Sequence, residues 1–144
     1  MKPAAFESIV KRWNSVLSNT EFRVRDYSEV AGDARSGDFV YLDPPYANSH
    51  NRYSEDLDIA RFLGFLDELN KKSVLWALSF DGIRGRADLT YALPKELYQY
   101  HTTLPSGHSA VQKVLNQSLE RVEESLYLNY IPGSSATAKQ SLLF

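Results

Sequence analysis

Residues 39–46, Phe-Val-Tyr-Leu-Asp-Pro-Pro-Tyr, constrain this chain more than any other segment. Four apolar, β-favouring residues in a row fit a strand covered on both faces, as in a parallel sheet. Two consecutive prolines then end the strand, because neither can donate a ladder hydrogen bond. The chain turns away at Asp43 and leaves a carboxylate at the strand's carboxyl end. In open α/β sheets that is the edge outside which ligands bind.

Periodicity supplies the neighbours of this strand. Phe6, Ile9, Val10, Trp13, Val16 and Leu17 recur at helical spacing and predict a helix near 3–18, with Pro3 in its first turn. Phe22-Arg23-Val24-Arg25 alternates and predicts a short strand ending at Asp26. Leu57, Ala60, Leu63, Leu66 and Leu69 predict an amphipathic helix near 55–71. Residues 74–78 read as a second buried strand ending at Ser79, with Trp76 in its core, and 80–86 as a loop. Residues 97–103 and 124–130 read as further strands, while 106–121 fits either helix or loop. Strand, helix, strand in this order predicts an α/β fold with a largely parallel sheet and flanking helices. It would fill residues 1–132, with 133–144 a flexible tail that is small and polar over 133–140. Asp26, Asp43 and Ser79 each fall at the carboxyl end of an expected strand, which makes that edge a candidate site.

Composition narrows the class of protein. The 144 residues suit one domain, and a net charge of -2 argues against a uniformly basic nucleic-acid binder. There is no cysteine, hence no disulfide framework and no thiolate metal site. His50, His101 and His108 lack metal-ligand spacing, so no metal is expected. No apolar run approaches the ~20 residues of a membrane helix, and residues 1–10 lack a secretory pattern. The expectation is a cytoplasmic protein without membrane contact.

The tetrapeptide Asp43-Pro44-Pro45-Tyr46 would arise by chance in such a chain roughly once in a thousand. Its chemistry is specific. The Asp43 carboxylate and the backbone carbonyls beside it can accept hydrogen bonds from an exocyclic amine. The prolines stiffen the turn and remove two donors. Tyr46 offers a ring on which a planar base can stack. Such a site orients an amine nitrogen as a nucleophile and stabilises positive charge developing on it. The bland alternative is a proline-rich corner with a capping aspartate and a packing tyrosine.

With these residues in order, the chain resembles the Dam-type, D12-class DNA adenine-N6 methyltransferases over residues 22–131. Asp43-Pro44-Pro45-Tyr46 matches the family's catalytic tetrapeptide. Asp26-Tyr27 is similar to its acidic-aromatic pair at the cofactor's adenosine, and Tyr53 is placed like a tyrosine near the cofactor. Ser79 matches a serine at a strand end, and Leu126, Asn129 and Tyr130 keep the closing-strand pattern. The resemblance implies a partial Rossmann-like methyltransferase domain, S-adenosylmethionine as cofactor, DNA as partner and a restriction-modification setting. It implies catalytic roles for Asp43, Pro44, Pro45 and Tyr46, and cofactor contacts for Asp26, Tyr27, Asp43 and Tyr53.

The departures from the family are equally informative. None of the seven glycines forms G-x-G, and 42 residues before Asp43 are too few for both a cofactor loop and a target-recognition region. The chain thus resembles the carboxyl-terminal half of such an enzyme. That implies a second chain supplying the glycine-rich loop, or self-association through unpaired strand edges. A non-catalytic remnant acting as a binding module is the alternative. Methylation of RNA adenine, cytosine or an amide nitrogen is a third reading. Arg52, Arg84 and Arg86 lie in expected loops where a phosphate backbone could run, against the plain alternative of solvated surface charge. Residues 105–113 fall where relatives place a hairpin near DNA.

Overall fold

The computed structural model describes residues 3–45, 57–108 and 121–133. Eight elements follow in order: α1 (Pro3–Val16), α2 (Ser28–Asp33), β1 (Phe39–Leu42), α3 (Ile59–Lys71), β2 (Leu75–Arg84), β3 (Ala87–Asp88), β4 (Tyr100–His108) and β5 (Arg121–Leu128). The sheet has the order β1-β2-β5-β4, with β3 pairing only β2. Tyr46, Arg52 and Tyr53, the polar loop around them, and residues 134–144 of the expected tail lie outside the described residues.

The crossover β1–α3–β2 sets the frame. β1 ends at Leu42, where Pro44 and Pro45 stop the ladder, and its four residues pair in parallel with Leu75–Leu78. α3 starts at Asp58, whose side chain accepts the Arg61 N–H at 3.0 Å and so caps the first turn. It ends where Ser73 adopts a left-handed φ of 56°, with the Val74 N–H donating to the Leu69 carbonyl. Phe62, Phe65, Leu66 and Leu69 of α3 pack on Trp76, Leu78 and Phe80 of β2 and on Tyr127 of β5. The segment after β3 closes this layer through Leu93 and Leu97.

The largely parallel sheet expected from the sequence is not what forms. β5 is antiparallel to both β2 and β4, and among the described strands β1 and β2 make the parallel pair. The reason is that a short apolar run reports burial and carries no information on direction. β1, β2 and β4 still point the same way, with β5 reversed between β2 and β4.

Three further expectations are corrected. Residues 22–25 alternate as a strand does, yet they pair with no neighbour, and Phe22 and Val24 lie exposed. Asp26 therefore precedes α2 rather than ending a strand. β2 does not stop at Ser79 but runs to Arg84, so 80–84 is strand and the turn is Gly85-Arg86. β1 is covered on one face only: Val40 and Leu42 pack on the core, while Phe39 and Tyr41 stay 44% and 61% exposed. The helix α1 forms where predicted but buries none of its residues.

Candidate active site

Asp43 leaves β1 at its carboxyl end and lies exposed, without a hydrogen-bond or ionic partner among the described residues. Pro44 and Pro45 behind it are half-buried, which anchors the turn. The β1–β2 register ends at Leu42 opposite Leu78. Ser79 is therefore the next residue on β2, level with Asp43. Ser79 is buried, and its hydroxyl donates to Glu124 Oε2 on β5 at 3.3 Å. The serine and this glutamate line a cavity of about 380 Å³ on the sheet face away from α3, which Asp43 does not line. Tyr41, Ala77, Leu126 and Leu128 form its floor.

Asp26 and Tyr27 are positioned by helices rather than by a strand. The Asp26 Oδ1 accepts the Ser28 N–H at 2.9 Å, the Ser28 hydroxyl at 2.5 Å and Arg61 Nη2 at 2.8 Å. These bonds, those from Ser28 first, hold the Asp26 carboxyl below the usual carboxylate range. They converge on Oδ1, and Oδ2 has no hydrogen-bond partner among the described residues. The Tyr27 ring packs edge-on against Phe62 at 5.8 Å and Phe65 at 5.3 Å, beneath the Arg61 guanidinium at 5.5 Å. Its hydroxyl is buried without a hydrogen-bond partner among the described residues. Burial raises the Tyr27 pKa above the ordinary phenol value.

Arg84 and Arg86 stand apart from Asp43. From Ser79, five residues of β2 carry the chain ~17 Å before Arg84. β2 outruns β1, so this stretch, the β3 return and the facing parts of β4 and β5 form an arm beyond β1's carboxyl end. Arg84 and Arg86 are exposed at its tip. Residues 105–108 of the region expected near DNA belong to the same arm, as strand β4, and 109–113 lie outside the described residues.

Sequence reasoning overlooked Arg61 and Glu124. Arg61 binds Asp26, bonds the Ser28 hydroxyl at 2.7 Å and covers Tyr27. Its signal was the capping pair Asp58/Arg61 at i, i+3. Glu124 opens the segment ESLYLNY, but only the strand register brings it to Ser79.

The family model for D12 class N6 adenine-specific DNA methyltransferases matches residues 2–103. No curated protein and no solved structure matches the chain.

Proposed function

The chain belongs to the D12 class of N6 adenine-specific DNA methyltransferases, and on that premise we propose that it carries the catalytic half of methyl transfer from S-adenosylmethionine to the adenine N6 amine of DNA, in the Dam-type manner and on a partial Rossmann-like frame. The observation that carries this reading is Asp43. It is an exposed carboxylate on a proline-stiffened turn, at the carboxyl end of a strand whose outer edge is unpaired among the described residues. In open α/β sheets ligands sit at such a point, between two strand ends.

The residues present fit the cofactor by their donor and acceptor chemistry. Asp26 keeps one carboxylate oxygen free for ribose hydroxyls, and Tyr27 and Tyr53 supply aromatic surface on the adenosine side. When bound, S-adenosylmethionine supplies an electrophilic methyl group. The adenine amine donates one N–H hydrogen bond to the Asp43 carboxylate and the other to the Pro44 carbonyl. Tyr46 stacks on a base flipped out of the duplex. The Asp43 carboxylate would stabilise the positive charge that develops on nitrogen as the N–C bond forms and the cofactor's sulfur–methyl bond breaks, the thioether S-adenosylhomocysteine leaving and the excess N6 proton passing to solvent. Ser79 contributes to the rim beside Asp43. Arg84 and Arg86 on the arm, with Arg52, contact backbone phosphates.

The free edge of β1 gives the cofactor site one wall. A second chain with a glycine-rich loop supplies the other. Calorimetric titration of S-adenosylmethionine tests this reading. The chain alone is expected to bind weakly. Adding the amino-terminal half of a complete D12-class enzyme is expected to tighten binding by at least about tenfold, or ~1.4 kcal/mol. Asp26→Ala is expected to abolish the gain. Absence of binding in both arms would favour a non-catalytic interaction module instead.

A further inference from the structure

Among the described residues there is a helix that packs on no sheet and a sheet face with no helix over it. Phe6, Ile9, Val10, Trp13 and Val16 line one side of α1, and all are exposed, Phe6 at 62% and Trp13 at 59%. On the sheet, the face opposite α3 carries the cavity floored by Tyr41, Ala77, Leu126 and Leu128, with no helix over it among the described residues. The dimensions agree. Fourteen residues of α1 span ~21 Å, and four strands ~4.8 Å apart present a face ~14–19 Å wide.

Charge agrees as well. On a helical projection Arg12 borders the apolar stripe beside Ile9 and Val16. Glu124 borders the cavity, bonded to the Ser79 hydroxyl and without an ion pair among the described residues. Within one molecule the approach is from the wrong side. α1 is tethered to α2, which packs with α3 on the opposite face of the sheet. The tether, residues 17–27, reaches ~35 Å when extended, long enough to reach a neighbouring molecule.

We propose that two copies of this chain associate by exchanging α1, each helix laying its apolar side across the open sheet face of the other, with Arg12 beside the partner's Glu124. Phe6 and Trp13 each bring an aromatic ring that buries ~150–250 Å² when fully covered. Two helices and two faces together reach the ~1,200–2,000 Å² of stable interfaces. The receiving face offers exposed Tyr41 and Leu104 around the buried Ala77 and Leu128, and the proposal holds whether or not the chain transfers methyl groups. It leaves the β1 edge free.

Sedimentation of the full chain over about 1–100 µM, with tryptophan emission recorded in parallel, tests it. The expected result is a reversible dimer of the 16.4 kDa chain. Trp76 is already buried, so a blue shift on association reports Trp13. Trp13→Glu and Arg12→Glu should each weaken the dimer by at least about tenfold. Arg12→Glu combined with Glu124→Arg should recover most of that loss. Three results overturn the proposal: a monomer throughout the range, a dimer indifferent to Trp13→Glu, and a monomer whose Trp13 emission is already blue-shifted. The second points to pairing at the β1 edge, the third to α1 folding onto its own sheet.

Discussion

Asn129 shows how much one side chain can hold together. Its Oδ1 accepts the Trp76 N–H at 2.8 Å, and its Nδ2 donates to the Val74 carbonyl at 2.9 Å and to Asn70 Oδ1 at 2.8 Å. Asn70 in turn accepts the Trp76 indole N–H at 2.9 Å and donates to the Leu97 carbonyl at 2.8 Å. The end of β5, the start of β2 and the end of α3 are clipped by these two amides. Asn129→Ala strands at least two half-buried backbone groups. It should cost roughly 2–4 kcal/mol, read as a lower urea midpoint with unchanged slope. Ser73 is the opposite case. Its left-handed φ of 56° strains any side chain. Ser73→Gly should stabilise by about 1 kcal/mol in the same experiment. The sequence pattern flagged Asn129 as part of a closing strand. Its role as a clip was hidden, because the partners lie 53 to 59 residues away.

Among the elements, legibility followed the range of the forces involved. β1 and α3 are readable because their signals are local: an apolar run stopped by two prolines, and a 3.6-residue apolar stripe. The strand expected at 22–25 did not form, since alternation describes a half-buried face and cannot provide a pairing neighbour. β2 was cut short in the sequence reading by Gly82, which looks like a loop residue. In the structure Gly82 sits between register shifts of β2 and β5, where a Cβ would lie 2.1 Å from the Glu123 carbonyl oxygen. Backbone cannot yield there as a flexible side chain would. Gly82→Ala should destabilise by about 1–3 kcal/mol and detach the arm carrying Arg84 and Arg86. Amide exchange should show protection lost first in residues 80–84 and 121–124.

The α2–α3 contact should respond to pH. Hydrogen bonds from Ser28, with Arg61, hold Asp26 below the usual carboxylate range, and Arg25 does the same for Asp33. A depressed carboxylate stabilises the folded state above its unfolded value of about 4, and that contribution is lost as pH falls through the lowered folded value. After correction for intrinsic rates, α2 amides should therefore exchange faster at pH 3 than at pH 5. Asp26→Asn should bring the pH 5 rate close to that at pH 3. Equal protection of the original chain at both values would contradict this assignment.

For the molecule as a whole, the shape matches the division of labour inferred for it. One face of the sheet has a complete core of α3, β2 and β5, which is why Trp76 was correctly read as buried. Among the described residues no helix covers the other face, no strand pairs the outer edge of β1, and α1 buries none of its residues. The site inherits this asymmetry: Asp43 and Ser79 stand level on neighbouring strands, Asp26 is held by Arg61 on the helical side, and the arginine-bearing arm projects beyond them. The two prolines after Asp43 made its place at a strand end legible, whereas Ser79, read as a strand end, lies inside β2 and is level with Asp43 only through the β1–β2 register. Sequence could not show that the outer edge of β1 has no partner among the described residues, since that depends on which strand edges are paired.

Transfer of an isotope-labelled methyl group tests the catalytic role of Asp43 most directly. DNA is incubated with trideuteromethyl-labelled S-adenosylmethionine and the chain, together with the amino-terminal half of a D12-class enzyme whose own tetrapeptide is absent. The nucleosides are then separated by mass. The expected product is N6-methyldeoxyadenosine carrying the label, formed with the original chain and missing with Asp43→Ala. Label at the same level with Asp43→Ala, or label on a different base, would contradict it.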